Sequence, residues 1–263
     1  MPPSPLTLAA TQGLRRLADQ DPDPAHLAAA LRHLAKWRAE LVANTIAERM
    51  GTVIAAGPFQ GMDYAVRAAE GSRAARLLGV YEASLAPTIE AIIARAYPLV
   101  IDIGSAEGYY AVGLARRMPA SRILARDENP QAQTLCRQLA EANHVGGRVE
   151  IGGRMTHADL AICTQQPTVI ICDIEGAEAD LLDPILAPGL IHADILVECH
   201  DVMHPGLTDR LTARFAATHT VTRLIRRLAP LPDWMEAWSD LDRLIALWEW
   251  RGGPTPWLWM THK

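Results

Sequence analysis

From residue 98 the chain sets five short apolar runs against stretches of a different rhythm: PLVIDIG, SRILARD, GRVEIGG, PTVIICDIEG and ADILVECHD. Between them lie AEGYYAVGLARRM, NPQAQTLCRQLAEAN and MTHADLAICTQQ, which have helical spacing or length. Short apolar runs bounded by turn residues are what a parallel sheet covered on both faces requires. The alternation therefore predicts a doubly wound α/β domain over 96–263. It closes with TVTRLIRR, a Trp-rich helix around DLDRLIALWEWRGG, and TPWLWMTHK as a last strand.

Residues 1–95 read differently. They are rich in Ala, Leu and Arg and predict a helical extension that also serves as a lid. Leu27, Leu31, Leu34, Trp37 and Leu41 recur at three- and four-residue spacing, giving one apolar stripe along a helix that starts near Asp23–Pro24 and stops at Gly51. The stripe is expected to pack on the chain's own domain, with a homo-oligomer contact through these helices as the alternative. GPFQGMDY, with two Gly and a Pro, predicts a loop before a second helical stretch, SRAARLLGVYEASLAPTIEAIIARA.

Composition removes several classes of function. The 263 residues are 49% apolar and 21% charged with a net charge of −5, so no electrostatic hold on nucleic acid or an anionic membrane is expected. RLIRR is the densest basic run and reads as a strand edge. No run reaches the ~18 apolar residues of a membrane span. The first residues show no basic start followed by an apolar block, and the four cysteines form no C-x-x-C pair. A cytoplasmic protein with buried thiols is expected.

The chemistry concentrates at the ends of the apolar runs. In VIDIGSAEGYYAVGLA a strand ends at Asp102, Gly104 and Gly108 permit a tight turn, and a helix follows. In an open α/β sheet the ligand lies outside the carboxyl ends of the strands. The turn reads G-x-x-x-G, with Ala106 where a dinucleotide turn has its second glycine. Asp127, nineteen residues past Gly108, is placed to accept hydrogen bonds from a ribose. NAD and S-adenosylmethionine share that ribose, and the lining separates them. Asp102, Glu107, Asp127 and Asp173 would repel a pyrophosphate and tolerate a sulfonium.

VIDIGSAEGYYAVGLA, ARDENP and ICDIEGAEADLL, in order over 98–200, resemble the successive motifs of class I S-adenosylmethionine-dependent methyltransferases of the FkbM family. GPFQGMDY and LLGVYEASL resemble a subgroup feature of the same enzymes. The resemblance implies a Rossmann-like sheet, mostly parallel with an antiparallel last strand. It implies that Asp102, Gly104, Ser105, Glu107, Gly108 and Tyr109 surround the methionine end of the cofactor and that Asp127 holds its ribose. GGRMTHADL departs from the pattern by lacking an acidic adenine partner, which leaves Met155 and Thr156 for that role.

Methyl transfer is an in-line displacement, so the enzyme aligns an acceptor and removes its proton. The acceptor should meet the ends of the fourth and fifth strands, CDIEGAE and VECHD, where Asp173, Glu175, Glu198, His200 and Asp201 interrupt apolar runs. His200 is the expected general base, because imidazole titrates near neutral pH. Glu178 reads as a helix-end acid, and His204 as a loop residue. Asp173, Glu198 and His200 are also a conceivable divalent-metal set, left open here. Tyr81 is expected against the cofactor, and Arg67, Arg73 and Arg76 are available for an anionic substrate. O-methylation of a small metabolite's hydroxyl is the expected reaction. N-methylation, a non-methyl use of the sulfonium and a non-catalytic adenosine-binding module are the alternatives.

Overall fold

The computed structural model describes residues 2–19, 23–69 and 71–263. Its centre is a seven-stranded sheet in the order β3-β2-β1-β4-β5-β7-β6. The strands are β1 (Leu99–Ile103), β2 (Arg122–Arg126), β3 (Val149–Gly152), β4 (Thr168–Cys172), β5 (Ala193–Glu198), β6 (His219–Leu224) and β7 (Trp257–His262). Neighbours run parallel from β3 to β5, and β7 lies antiparallel to both β5 and β6. This is the Rossmann-like arrangement with one reversed strand expected above. The strand order reverses between β1 and β4, and a crevice opens there at the carboxyl ends of the strands.

Strand period explains why both faces are covered. On β1, Val100 packs into one apolar cluster, while Leu99, Ile101 and Ile103 pack into the other. The first cluster is covered by α4 (Ala86–Arg95), α5 (Tyr109–Arg117) and α6 (Pro130–Ala142), and the second by α8 (Leu207–Phe215) through Leu207, Leu211 and Phe215. Each such fully buried aliphatic side chain stabilises the fold by about 1.5–3 kcal/mol relative to exposure.

The N-terminal region contributes to the same core. Helices α1 (Pro5–Ala18) and α2 (Pro24–Met50) pair, and α2 starts at its Asp23 cap and stops at Gly51 as its sequence predicts. The buried positions on α2 are Ala39, Val42, Ala43 and Ile46 rather than the expected leucine stripe. Leu27 and Leu31 are each 71% exposed. Small residues let α2 approach α3 (Arg73–Leu78), whereas the leucines lie on a part of α2 that faces solvent.

The expected single helix over SRAARLLGVYEASLAPTIEAIIARA is also divided. Gly79 is left-handed at φ 73 and Glu82 has φ 46, so the chain turns between α3 and α4. By length and composition Arg73–Arg95 would suit a membrane span. Its Ala74, Ala75, Leu77, Leu78, Ile89 and Ile92 are instead buried in the core. MTHADLAICTQQ holds a 3-10 helix, Asp159–Thr164, in place of the expected α-helix. In the Trp-rich segment only α9 (Asp240–Ala246) is α-helical.

Candidate active site

The turn after β1 is shaped by the end of β4. Gly104 has φ 80, and a Cβ there would fall 1.6 Å from the carbonyl oxygen of Asp173. Only glycine allows that approach. Four of the turn's amides are already engaged. Gly104 N–H and Ser105 N–H both donate to the Arg126 carbonyl, at 2.8 and 3.1 Å, and Gly108 N–H donates to Ser105 O at 2.7 Å. Ala106 N–H donates to Asp127 Oδ2 at 2.9 Å, and Ala111 N–H to Asp102 Oδ2 at 2.9 Å. The amides of Gly104, Ser105, Ala106 and Gly108 are thus engaged by the chain's own oxygens rather than left to cradle a phosphate.

A cavity of about 540 Å³ opens beside this turn. Gly104, Ala106, Asp127, Met155, Thr156 and Asp173 are among its lining residues. Asp127 accepts from Ala106 N–H and Asn129 N–H, one on each carboxylate oxygen. Each oxygen keeps a second lone-pair direction, enough for a vicinal diol.

Several expected cofactor residues stand behind the cavity rather than in it. Asp102 is buried on β1 with its carboxylate at the first turn of α5, and Ser105, Gly108 and Tyr109 belong to the turn and helix without lining the cavity. Tyr81 packs edge-on against Tyr109 at 5.3 Å and under the Arg76 guanidinium at 4.1 Å. Glu107 departs most from expectation. It is fully buried and accepts from Tyr64 Oη at 2.5 Å and Ala69 N–H at 2.8 Å, and it pairs with Arg76 at 3.1 Å. Arg76 is therefore committed to Glu107 and is not available for a substrate, while Arg67 is exposed.

Burial pushes the Asp102 carboxyl up to about 8, against the Ala111 N–H bond, which favours the ionised form. Its ordinary value is 3.8. A carboxyl that holds its proton more tightly when folded costs stability as pH rises from that ordinary value through the folded one. Asp102→Asn keeps an oxygen for the Ala111 amide and removes the charge. Calorimetry should show its Tm declining less than wild type between about pH 5 and about pH 8, and lying above wild type at the upper end. Parallel declines would contradict this account of Asp102.

At the ends of β4 and β5 the structure gathers Asp173, Glu175, Glu198 and His200. His200 is 5% exposed, and its Nδ1 lies 2.7 Å from Glu178 Oε1. Its Nε2 faces Asp173 Oδ1 at 3.5 Å, Glu175 Oε2 at 3.5 Å and Glu198 Oε2 at 3.7 Å. Glu175 sits at φ 54, a left-handed conformation that brings its carboxylate back toward the imidazole. Burial opposes the imidazolium, but the Glu178 bond and the carboxylates of Asp173 and Glu175 outweigh it, so the His200 pKa is raised. Burial, with Glu82 and the neighbouring acids, pushes Asp173 up to about 7.

Sequence reasoning missed three residues here. Glu178, fully buried at the start of α7 (Glu178–Leu181), orients His200 rather than merely capping a helix. Arg251 pairs with Glu198 and Glu82, and with Glu249 at 2.9 Å. Glu198 is thereby neutralised while held beside His200. A strand-end His facing a nearby acid was the available signal for Glu178; the isolated WEWRGG segment gave none for Arg251 or Glu249. Asp201 caps α8 through Thr208, and His204 lies against Gly176 on the exposed loop. Cys172 and Cys199, like the other cysteines, are free and buried.

No family model matches the sequence, and no curated protein matches it. Solved structures do resemble it. An O-methyltransferase from Bacillus cereus in complex with SAH is 12% identical with a TM-score of 0.45, the match covering 100% of this chain and 93% of that one. Cofactor-bound Rv0187 from MTB is 15% identical with a TM-score of 0.46, over 91% and 97%. The O-methyltransferase TomG from Streptomyces achromogenes, in complex with SAM, is 17% identical with a TM-score of 0.41, over 51% and 69%.

Proposed function

We propose that this chain is an S-adenosylmethionine-dependent methyltransferase, of the FkbM kind that its motifs resemble, acting on a hydroxyl of a small molecule. The observation that carries the reading is the β1 turn. Its amides at Gly104, Ser105, Ala106 and Gly108 are bonded within the chain, and in the adjoining cavity the acids Asp127, Glu128, Asp173, Glu175 and Asp180 outnumber Arg126 and Arg154, which suits a cationic thioether nucleoside better than a diphosphate. The residues fit that cofactor in two further ways. Asp127 has lone pairs left for a ribose diol, and the buried Oδ1 of Asp173 makes no hydrogen bond within the protein.

When bound, the sulfonium supplies an activated methyl group. The chain's part is placement and proton handling. Asp127 fixes the ribose, while Met155 and Thr156, which line the same cavity, flank the base. Glu178 accepts from His200 Nδ1–H, so the Nε2 lone pair is turned toward the acceptor side, between Asp173 and Glu175. That lone pair is the basic group that meets the acceptor's hydroxyl.

Asp127→Ala tests the reading by titration calorimetry with S-adenosylhomocysteine. Loss of one charge-assisted ribose bond is worth about 1.5–3 kcal/mol, so affinity should fall roughly 10- to 150-fold. Uptake of NAD in preference to the thioether nucleoside would overturn it.

The exposed Leu27 and Leu31 support a contact between copies of the chain through α1 and α2, and the free buried thiols accord with a cytoplasmic setting.

A further inference from the structure

We infer that Arg251 is a positioning residue of the acceptor side, one that anchors the Glu198 carboxylate and so keeps the space before His200 Nε2 open for the acceptor. The role rests on the methyltransferase reading. One guanidinium here serves three buried acids. Nη1 of Arg251 pairs with Glu198 Oε1, Nη2 with Glu82 Oε1, and Nε with Glu249 Oε2 at 2.9 Å. The acids come from the end of β5, the turn between α3 and α4, and the segment between α9 and β7. None of the three side chains is more than 6% exposed. Glu249 has a second cation in Arg226, at 3.0 Å. Among the described residues Glu82 has no other ion pair, and Glu198 has only His200 besides. A planar fork of three nitrogens can serve three carboxylates at once, which a single ammonium does poorly.

The surroundings of Glu198 show what that restraint does. Its Oε2 lies 3.7 Å from His200 Nε2, too far for a hydrogen bond, while Oε1 of the same carboxyl is held by Arg251. A buried carboxylate that loses its counter-charge takes the nearest partner left to it. Released from Arg251, Glu198 would therefore close the remaining gap to the imidazole. It would then fill the Nε2 side, where the acceptor's hydroxyl has to stand. Arg251 is itself fixed from both directions. Its Nη1 also donates to Thr255 Oγ1, and the Lys36 ammonium of α2 stands 4.6 Å from the ring centre of the preceding Trp250. On the other side, Cys199 N–H donates to the Pro256 carbonyl at 2.8 Å, one residue from Glu198. Gly253 lets the segment lie against Val202, whose Cγ2 would stand 2.7 Å from an added Cβ. The guanidinium is thus delivered by a segment tied to α2 and to β5, and Glu198 is held where that segment puts it.

The test is a set of double variants of the full chain, read as S-adenosylhomocysteine released with a panel of sugars, phenols and aliphatic alcohols. Arg251→Met should lower turnover about 10- to 100-fold and leave S-adenosylhomocysteine affinity, by calorimetry, within about twofold of wild type. Adding Glu198→Gln to Arg251→Met should restore turnover at least fivefold, because the amide brings no charge to the imidazole. In the otherwise wild-type chain Glu198→Gln should not raise turnover. Adding Glu82→Gln instead should restore less than twofold, since Glu82 is not among the carboxylates that face Nε2. Equal rescue by the two would show that Arg251 merely relieves buried charge, and no rescue would show that it does not act through Glu198; either result overturns the role. Where Arg251→Met gives no soluble protein, the same two additions to Arg251→Lys decide, with a smaller loss to restore. A wild type that releases no S-adenosylhomocysteine overturns the methyltransferase reading and this role with it, whereas turnover without the Glu198-selective rescue overturns the role alone.

Discussion

His200→Gln is expected to lower turnover by about 10²- to 10⁴-fold while leaving S-adenosylhomocysteine affinity within about twofold of wild type. The reason is position. Nε2 faces the meeting point of Asp173 and Glu175, and His200 is not among the residues that line the cavity beside Asp127. On the proposed reading the side chain acts on the acceptor and contributes little to holding the nucleoside. Turnover is read as S-adenosylhomocysteine released with a panel of hydroxylated small molecules. In the wild type the rate should climb with pH through a value above 6.5, because the carboxylates around His200 raise its pKa and only the neutral ring has a free Nε2 pair. The same raised value means that the proton's contribution to stability is present below about 6.5 and is lost as pH rises through the folded pKa. A variant that lost nucleoside affinity as severely as turnover would show that His200 belongs to the cofactor pocket instead.

The second large effect is structural. Gly104→Ala should destabilise the chain by about 4 kcal/mol or more, since the added methyl meets backbone rather than a side chain that can rotate away. For a chain of this size that is a fall in Tm of roughly 8–16 °C, or no soluble protein at all. Gly153→Ala is the control: nothing lies within 4 Å of its added carbon, and its Tm should stay within about 2 °C. Equal behaviour of the two variants would mean that β1 and β4 can separate at their carboxyl ends without cost.

The parts of the fold that were legible are those governed by short-range pattern. Every strand from β1 to β5 coincides with an apolar run; β1, β4 and β5 are buried along their whole length and so are largely apolar, while the edge strand β3 keeps an exposed Glu150. Gly104 and Asp127 were legible for the same local reason: a tight turn and a strand-end acid each leave a mark within a few residues. The leucines of α2 misled, because periodicity shows that a face is apolar but not which neighbour arrives to cover it. Ala39 and Ala43 are small enough for close approach, and Val42 and Ile46 beside them fill the contact. Glu107 and Glu178 misled in opposite directions. Both sit beside helix starts, where acids are ordinary, and only long-range packing turns one toward Tyr64 and Arg76 and the other toward His200.

The Glu107 anchor has a practical corollary for anyone trimming this protein. A shortened chain beginning at the first strand would look like a tidy minimal catalytic unit. It would lose Tyr64, the Ala69 amide and Arg76 together, stranding the buried Glu107 side chain beside the β1 turn with neither a counter-charge nor its donors. Such a fragment should precipitate or leave that turn unformed, because the helices before the first strand supply part of the same core.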